Sequence, residues 1–323
     1  MRLAIVGTGK IVAEFLSFAP ALDGVELVAI YGRSLEKATA LQASAGIAAA
    51  YDDYDQCLAD PAVDTVYVAV PNQLHYEFSR RALLAGKNVI CEKPFTTAMA
   101  DFDELCRLAD ERGLILVEAI SNQYQANYRA IAEHLSSLGR IRLVQTDYCQ
   151  YSSRYDDFRR GVVQPAFDPA AGGGALMDIG IYNVHFVVGL FGAPRRARYA
   201  ANIERGIDTS GVLLLEYDDF TAVCVGAKDS SSPARQLIQG DDATLQMDAI
   251  PNGCGPWTIT DRHADRVRVA EPLAAHRMVE EFVAFERMIR EHDLVGRDRA
   301  LAHSRTVLTI VLQALADVGI RLN

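Results

Sequence analysis

The sequence predicts an α/β domain on a doubly wound parallel sheet, followed by an α+β domain on a mixed or antiparallel sheet. Three observations carry that expectation. A Gly7-Thr8-Gly9 turn follows directly on an apolar run, apolar runs alternate with helical patterns up to about Ile120, and beyond Ser121 several strand-like segments succeed one another with no room for a crossover helix. At 323 residues the chain exceeds what one hydrophobic core usually supports. Two domains are therefore expected, 1–120 and 121–323, with room for the C-terminal helices to pack back on the first.

In the first half the apolar runs are residues 3–6, 26–31, 65–70, 88–91 and 114–117. Continuous runs of that kind suit strands covered by helices on both faces. The helical stretches between them carry polar faces, and Ser34 stands where an N-cap would, with Glu36 in the first turn. In the second half, residues 143–151, 197–203, 212–217, 221–226 and 236–238 read as strands. Residues 280–291 and 299–318 read as amphipathic helices, the latter with Leu301, Leu308, Leu312 and Leu315 on one side. Pro251-Asn252-Gly253 is a turn.

Composition narrows the function classes. A formal charge of -10 leaves no basic face to neutralise a phosphate backbone, which argues against a nucleic-acid partner. Small anionic ligands stay open, because local clusters can oppose the net sign. The six cysteines are scattered, with no CxxC pair and no histidine at metal-ligand spacing, so buried thiols in a reducing compartment are expected and no metal is. The N-terminus runs straight into a strand-like MRLAIVGTG without the features of a signal peptide, and no apolar run reads as long enough to span a bilayer. A cytoplasmic location without membrane contact is the expectation.

A GxGxx turn directly after the first strand has the form of a Rossmann dinucleotide unit. Gly7 allows the tight turn, Gly9 lets the backbone approach a pyrophosphate at the start of the following helix, and Thr8, Lys10 and Ile11 complete the segment that would face it. Val12 occupies the position where Gly or Ala would pack helix against strand, and should push the helix outward. A glycine turn alone can also stand without a ligand. At the end of the second strand, where an NAD site presents Asp or Glu to the ribose, this chain has Tyr31-Gly32-Arg33-Ser34. A guanidinium in place of a carboxylate suits a 2′-phosphate, with Lys37 one turn on as a second positive charge. NADP is the preferred cofactor; a solvated Arg33 with NAD is the alternative.

Three further segments join the glycine turn: Val70-Pro71-Asn72-Gln73-Leu74-His75, Cys91-Glu92-Lys93-Pro94, and Gly172-Gly173-Gly174-Ala175-Leu176-Met177-Asp178-Ile179-Gly180-Ile181-Tyr182. In this order they resemble the Gfo/Idh/MocA oxidoreductases, the group of glucose-fructose oxidoreductase and inositol dehydrogenase, and the likeness runs the length of the chain. Within the group it is strongest to bacterial members of unassigned substrate and to the dimeric dihydrodiol and xylose dehydrogenases. The resemblance implies a second domain with a large open sheet that serves for homodimer or homotetramer formation. It also implies a nicotinamide cofactor and hydride transfer at a sugar or polyol carbon.

Such chemistry leaves a proton to be moved on the substrate oxygen, so the protein must supply an acid/base and positive polarisation. Lys93 lies at the carboxyl end of the fourth apolar run, where ligands bind in open α/β sheets. The resemblance implies that it polarises the reacting oxygen. Asp178 and Tyr182 stand four residues apart in a helical segment, a spacing that places both on one face. In the family's motif the second of these positions is the proton donor. With an ordinary pKa near 10, a tyrosine there suits the acid role in carbonyl reduction, and a close ammonium would favour its phenolate for alcohol oxidation. Pro71, Asn72 and His75 belong to a loop that in the family packs against the cofactor, and Glu92 would hold the nicotinamide ribose or orient Lys93. His185 falls at neither motif position and reads as structural. Gln123, Tyr124 and residues 151–160, with Arg154 and Arg159, are candidates to line the substrate pocket, the arginines equally as solvated rim charges. Two other functions fit the same residues: a redox-neutral NAD(P)-dependent lyase or hydrolase of a sugar derivative, and a non-catalytic dinucleotide-binding regulator.

Overall fold

Each of the five apolar runs of the first half coincides with a strand of one sheet, the runs 65–70 and 114–117 only in part, and a sixth strand joins them. The computed structural model describes residues 1–322. The strands are β1 (Arg2–Val6), β2 (Glu26–Tyr31), β3 (Ala49–Tyr51), β4 (Thr65–Val68), β5 (Asn88–Glu92) and β6 (Leu116–Ala119), all parallel, in the order β3-β2-β1-β4-β5-β6. That is the doubly wound order of a dinucleotide-binding domain. Helices α1 (Lys10–Leu16), α2 (Leu35–Ala45), α3 (Tyr54–Ala59), α4 (His75–Leu84) and α5 (Met99–Arg112) connect them. β3, which the sequence reading passed over, is a three-residue edge strand, half-buried throughout. β6 begins two residues later than its apolar run. Gly113 ends α5 in the left-handed conformation, and the Leu114 N–H returns to the Ala109 carbonyl at 2.9 Å, so Leu114 is consumed in closing the helix.

The second half forms an eight-stranded mixed sheet. Its strands are β7 (Ile141–Cys149), β8 (Arg196–Glu204), β9 (Ile207–Glu216), β10 (Thr221–Ala227), β11 (Gln236–Gly240), β12 (Ala243–Met247), β13 (Trp257–Asp261) and β14 (Arg266–Val269). The order is β14-β13-β12-β11-β7-β10-β9-β8, with β7 and β10 parallel and the other pairs antiparallel. One face is buried through Leu213, Leu215, Ala222, Cys224, Ile238 and Leu245. Against β7 and β10 lies α8 (Ile181–Phe191), in which every residue from Ile181 to Val188 is buried. The remaining helices are α6 (Ala126–His134), α7 (Tyr155–Arg159), α9 (Val279–Arg290) and α10 (Leu294–Asp317). α10 starts five residues before its periodic pattern, where the Asp293 carboxylate accepts the Gly296 N–H at 2.8 Å.

Two compact units result. One comprises Met1–Ala119 with Met278–Arg305, the other Ile120–Arg277 with the chain from Thr306 on. In the first, α9 covers the sheet through an aromatic cluster. Phe282 packs on Phe15 of α1 at 4.4 Å between ring centroids and on Tyr67 of β4 at 5.0 Å. Each ring so buried contributes about 1.5–3 kcal/mol. Arg297, buried, ties α10 to the end of α5 through the Leu114 carbonyl at 3.0 Å and Asp110 at 3.2 Å.

The expectation that no segment is long and apolar enough for a bilayer needs correcting. Pro169–Phe191, 23 residues that include an 18-residue window of mean hydropathy 1.4, meets that test by length and composition. Of its apolar window 78% is buried inside the protein, so its hydrophobicity serves the core of the second unit.

Candidate active site

The glycine turn is built as its residues require. The Gly7 N–H donates to the Tyr31 carbonyl at 2.9 Å, its φ is 131°, and a Cβ there would collide with the Ala69 carbonyl oxygen. Val12 is fully buried, its Cγ2 3.6 Å from where that Cβ would stand, so the larger side chain fills room that Gly7 leaves. Gly9 and Lys10 are exposed, and the space over Gly9 is open. Thr8 and Ile11 are half-buried beside them. At the end of β2, Arg33 and Lys37 are exposed, while Ser34 Oγ accepts the Lys37 N–H at 3.4 Å and caps α2. An open glycine turn beside two exposed cations fits a dinucleotide phosphate.

Lys93 follows β5 and is half-buried, in a bend that includes a cis Lys93–Pro94 peptide. Two neighbours pin this bend. His75 Nδ1 lies 2.8 Å from the Pro94 carbonyl and its Nε2 2.9 Å from the Val70 carbonyl. The Phe95 N–H donates to Glu118 Oε1 at 3.0 Å. Glu92 Oε1 accepts the Tyr67 hydroxyl at 2.6 Å. Pro71 is exposed and Asn72 half-buried at the start of the turn before α4. His75, expected in a loop against the cofactor, has its side chain wholly beneath the surface, bracing the loop after β4 to the bend after β5.

Burial controls the protonation of both braces. It pushes His75 down to about 4, with the Lys93 charge adding to the effect and the two carbonyls opposing it. A neutral ring then donates its one N–H to one of the two carbonyls. Burial pushes Glu118 up to about 7, against a hydrogen bond from Ser304 and the one from Phe95.

In the second unit the triple glycine leads into the residues of the third motif. Gly174 has φ 105°, and a Cβ there would strike Asp208 Oδ1. Asp208, buried, accepts the Leu176 N–H at 2.7 Å and the Tyr199 hydroxyl at 2.7 Å through Oδ2. Leu176–Gly180 forms a π turn, and α8 starts at Ile181. The two residues differ in exposure: the Asp178 side chain is 33% exposed, whereas Tyr182 is buried. Lys228 Nζ contacts Asp178 Oδ2 at 2.7 Å. The Tyr182 ring lies 6.0 Å from that of Tyr148, and its carbonyl accepts Asn122 Nδ2 at 3.1 Å. His185 is fully buried inside α8. Gln123 and Tyr124 are half-buried, with Gln123 donating to the His185 carbonyl at 2.9 Å; Arg154 and Arg159 are exposed.

Glu118, Asp208 and Lys228 escaped the sequence reading. Glu118 left the clearest signal, a carboxyl inside the apolar run Leu-Ile-Leu-Val-Glu-Ala-Ile, where burial demands a partner or a proton.

The model of the GFO/IDH/MocA oxidoreductase family with an NAD-binding Rossmann fold matches residues 1–120, and that of the GFO/IDH/MocA C-terminal domain matches residues 128–246. The chain is 36% identical over 327 residues to scyllo-inositol 2-dehydrogenase (NADP(+)) IolU of Bacillus subtilis (strain 168), covering 99% of this chain and 98% of that one. It is 28% identical over 334 residues to D-xylose 1-dehydrogenase (NADP(+)) 2 of Haloferax volcanii, covering the whole of both chains. Among solved structures, the 3-ketoreductase KijD10 of Actinomadura kijaniata, in complex with NADP and TDP-benzene, shares the fold at a TM-score of 0.83 and 24% identity, over 95% of each chain. With both family models matched in order and a relative alike from end to end, the chain belongs to the Gfo/Idh/MocA family of oxidoreductases.

Proposed function

We propose that this protein is an NADP-dependent dehydrogenase or reductase acting on a secondary hydroxyl or carbonyl of a polyol or sugar, with scyllo-inositol as the first substrate to try. The observation that carries the reading is the pinned bend at Lys93. A half-buried lysine at the carboxyl end of β5, followed by Pro94 and Phe95 whose backbone His75 and Glu118 hold, supplies a preorganised positive charge. The substrate class comes from the end-to-end likeness to the inositol and xylose dehydrogenases.

When bound, the nicotinamide dinucleotide would give or take the hydride. Gly7, Thr8, Gly9, Lys10 and Ile11 would hold its pyrophosphate, Arg33, Ser34 and Lys37 its ribose phosphate, and Pro71, Asn72 and Glu92 the nicotinamide side, with His75 bracing them from beneath. Lys93 polarises the reacting oxygen. Tyr182 gives the proton to that oxygen in reduction and takes it in oxidation, and Asp178 orients the substrate hydroxyls. The apolar, half-exposed face of the eight-stranded sheet supports association of two or four copies.

Lys93→Ala and Tyr182→Phe should each lower kcat/KM for scyllo-inositol oxidation by about 100-fold or more. NADPH binding, followed by its fluorescence, should change little. A panel with D-xylose and dihydrodiols, each with NADP and NAD, tests the substrate class. Wild-type turnover in Tyr182→Phe would remove that hydroxyl from the mechanism.

A further inference from the structure

Lys228 is a cation that the motifs leave out and that the structure brings against a motif residue. It directly follows β10, and its side chain is 3% exposed. Its ammonium contacts Asp178 Oδ2 at 2.7 Å and donates to the Ala166 carbonyl at 2.6 Å, 4.5 Å from the centre of the Phe167 ring. Its backbone N–H donates to the Thr209 carbonyl at 2.8 Å, next to the buried Asp208. Only five of the chain's 32 basic residues are lysines, so a compact ammonium at this buried position is not a matter of composition.

A buried ion pair is a poor source of stability, since desolvation consumes most of the attraction and an apolar pair of similar volume often does as well. What such a pair supplies is fixed geometry. Here two clamps act on one short π turn: Asp208 holds its first residue through the Leu176 N–H, and Lys228 holds its third through the Asp178 carboxylate. The Ala166 carbonyl and the Phe167 ring bring the loop before the triple glycine into the same clamp.

We propose that Lys228 is a positioning residue for the reaction, orienting the Asp178 carboxylate and keeping it ionised while tying it to the 165–168 loop. The proposal rests on the reading of Asp178 as a catalytic group. A cation in contact lowers a carboxyl pKa, so Asp178 stays charged to lower pH than it would alone.

The test is a cycle of Lys228→Met, Asp178→Asn and the double variant, read by thermal unfolding and by scyllo-inositol oxidation with NADP. Lys228→Met should lower kcat/KM by about tenfold or more and move the acid limb of its pH profile up by about one pH unit or more, with the KM for NADP unchanged. In the Asp178→Asn background the same change should alter kcat/KM less than about twofold. Asp178→Asn leaves the ammonium buried against a neutral amide, so the double variant should melt above Asp178→Asn alone. Lys228→Gln, which keeps a donor for the Ala166 carbonyl without the charge, should show the same acid-limb shift and serves if the methionine variant does not fold.

Additive effects on melting and rate, or a wild-type acid limb in both Lys228 variants, would overturn the proposal. Full turnover by Asp178→Asn would instead remove Asp178 from the mechanism, and Lys228 with it. Impaired Asp178→Asn beside unimpaired Lys228→Met would strike only Lys228. The melting arm needs no substrate, so it decides whether the pair is coupled even where scyllo-inositol is not turned over.

Discussion

A carboxyl group cut off from water must either keep its proton or find a cation, and Glu118 keeps its proton up to about pH 7. Because its pKa in the fold lies above that of the unfolded chain, the folded state binds the extra proton between about 4.5 and 7. The stability tied to Glu118 is therefore complete below pH 4.5 and lost as pH rises through 7, by about 3 kcal/mol in all. Urea unfolding at pH 5 and pH 8 should show this fall in the wild type and its absence in Glu118→Gln; equal slopes in both would contradict the assignment. His75 has the opposite sign. Its pKa is pushed down to about 4, so the stability of its neutral ring is complete above 6.5 and lost as pH falls through 4. The position of His75 was legible in the sequence but its burial was not, because a histidine after a strand looks the same whether it faces a ligand or braces two loops.

At the scale of elements, the junction of β2 and α2 is where we propose the cofactor is selected. Ser34 spends its hydroxyl on capping α2, which leaves Arg33 as the exposed group at the strand end with Lys37 one turn further along. Arg33→Ala should weaken NADPH binding by about tenfold and leave NADH binding nearly unchanged, as read by fluorescence titration. Equal losses for both dinucleotides would refute the role. The parallel strands were legible because burial on both faces writes an unbroken apolar run. β3, β12, β13 and β14 were not, being three to five residues long and half-buried or alternating. The π turn at Asp178 was invisible to a helical period, since what surrounds it is tertiary: a carboxylate from Asp208 at its start and an ammonium from Lys228 at its middle.

On the whole molecule, the eight-stranded sheet presents a second face that its own chain leaves half-exposed. Leu214 of β9 lies opposite Val223 of β10, and Val212 opposite Val225, all on that side. Apolar strands in this state usually meet a partner surface. Sedimentation should find a dimer or tetramer at micromolar concentration, and Leu214→Glu with Val223→Glu should reduce it to single chains that still bind NADPH. A wild type that sediments as one chain would defeat the proposal.

The first unit is not closed by the first half of the chain. Its sheet is complete at Ala119, but the rings of Phe15 and Tyr67 are covered by Phe282, and the end of α5 is tied down by Arg297. During synthesis the nucleotide-binding sheet therefore waits, one hydrophobic face uncovered, while more than 150 further residues are made. A polypeptide interrupted before Met278 would carry every cofactor motif and still lack the lid on its core, so it would be held back by exposed aromatic surface. In this fold, helices made after the second sheet complete the core under the first.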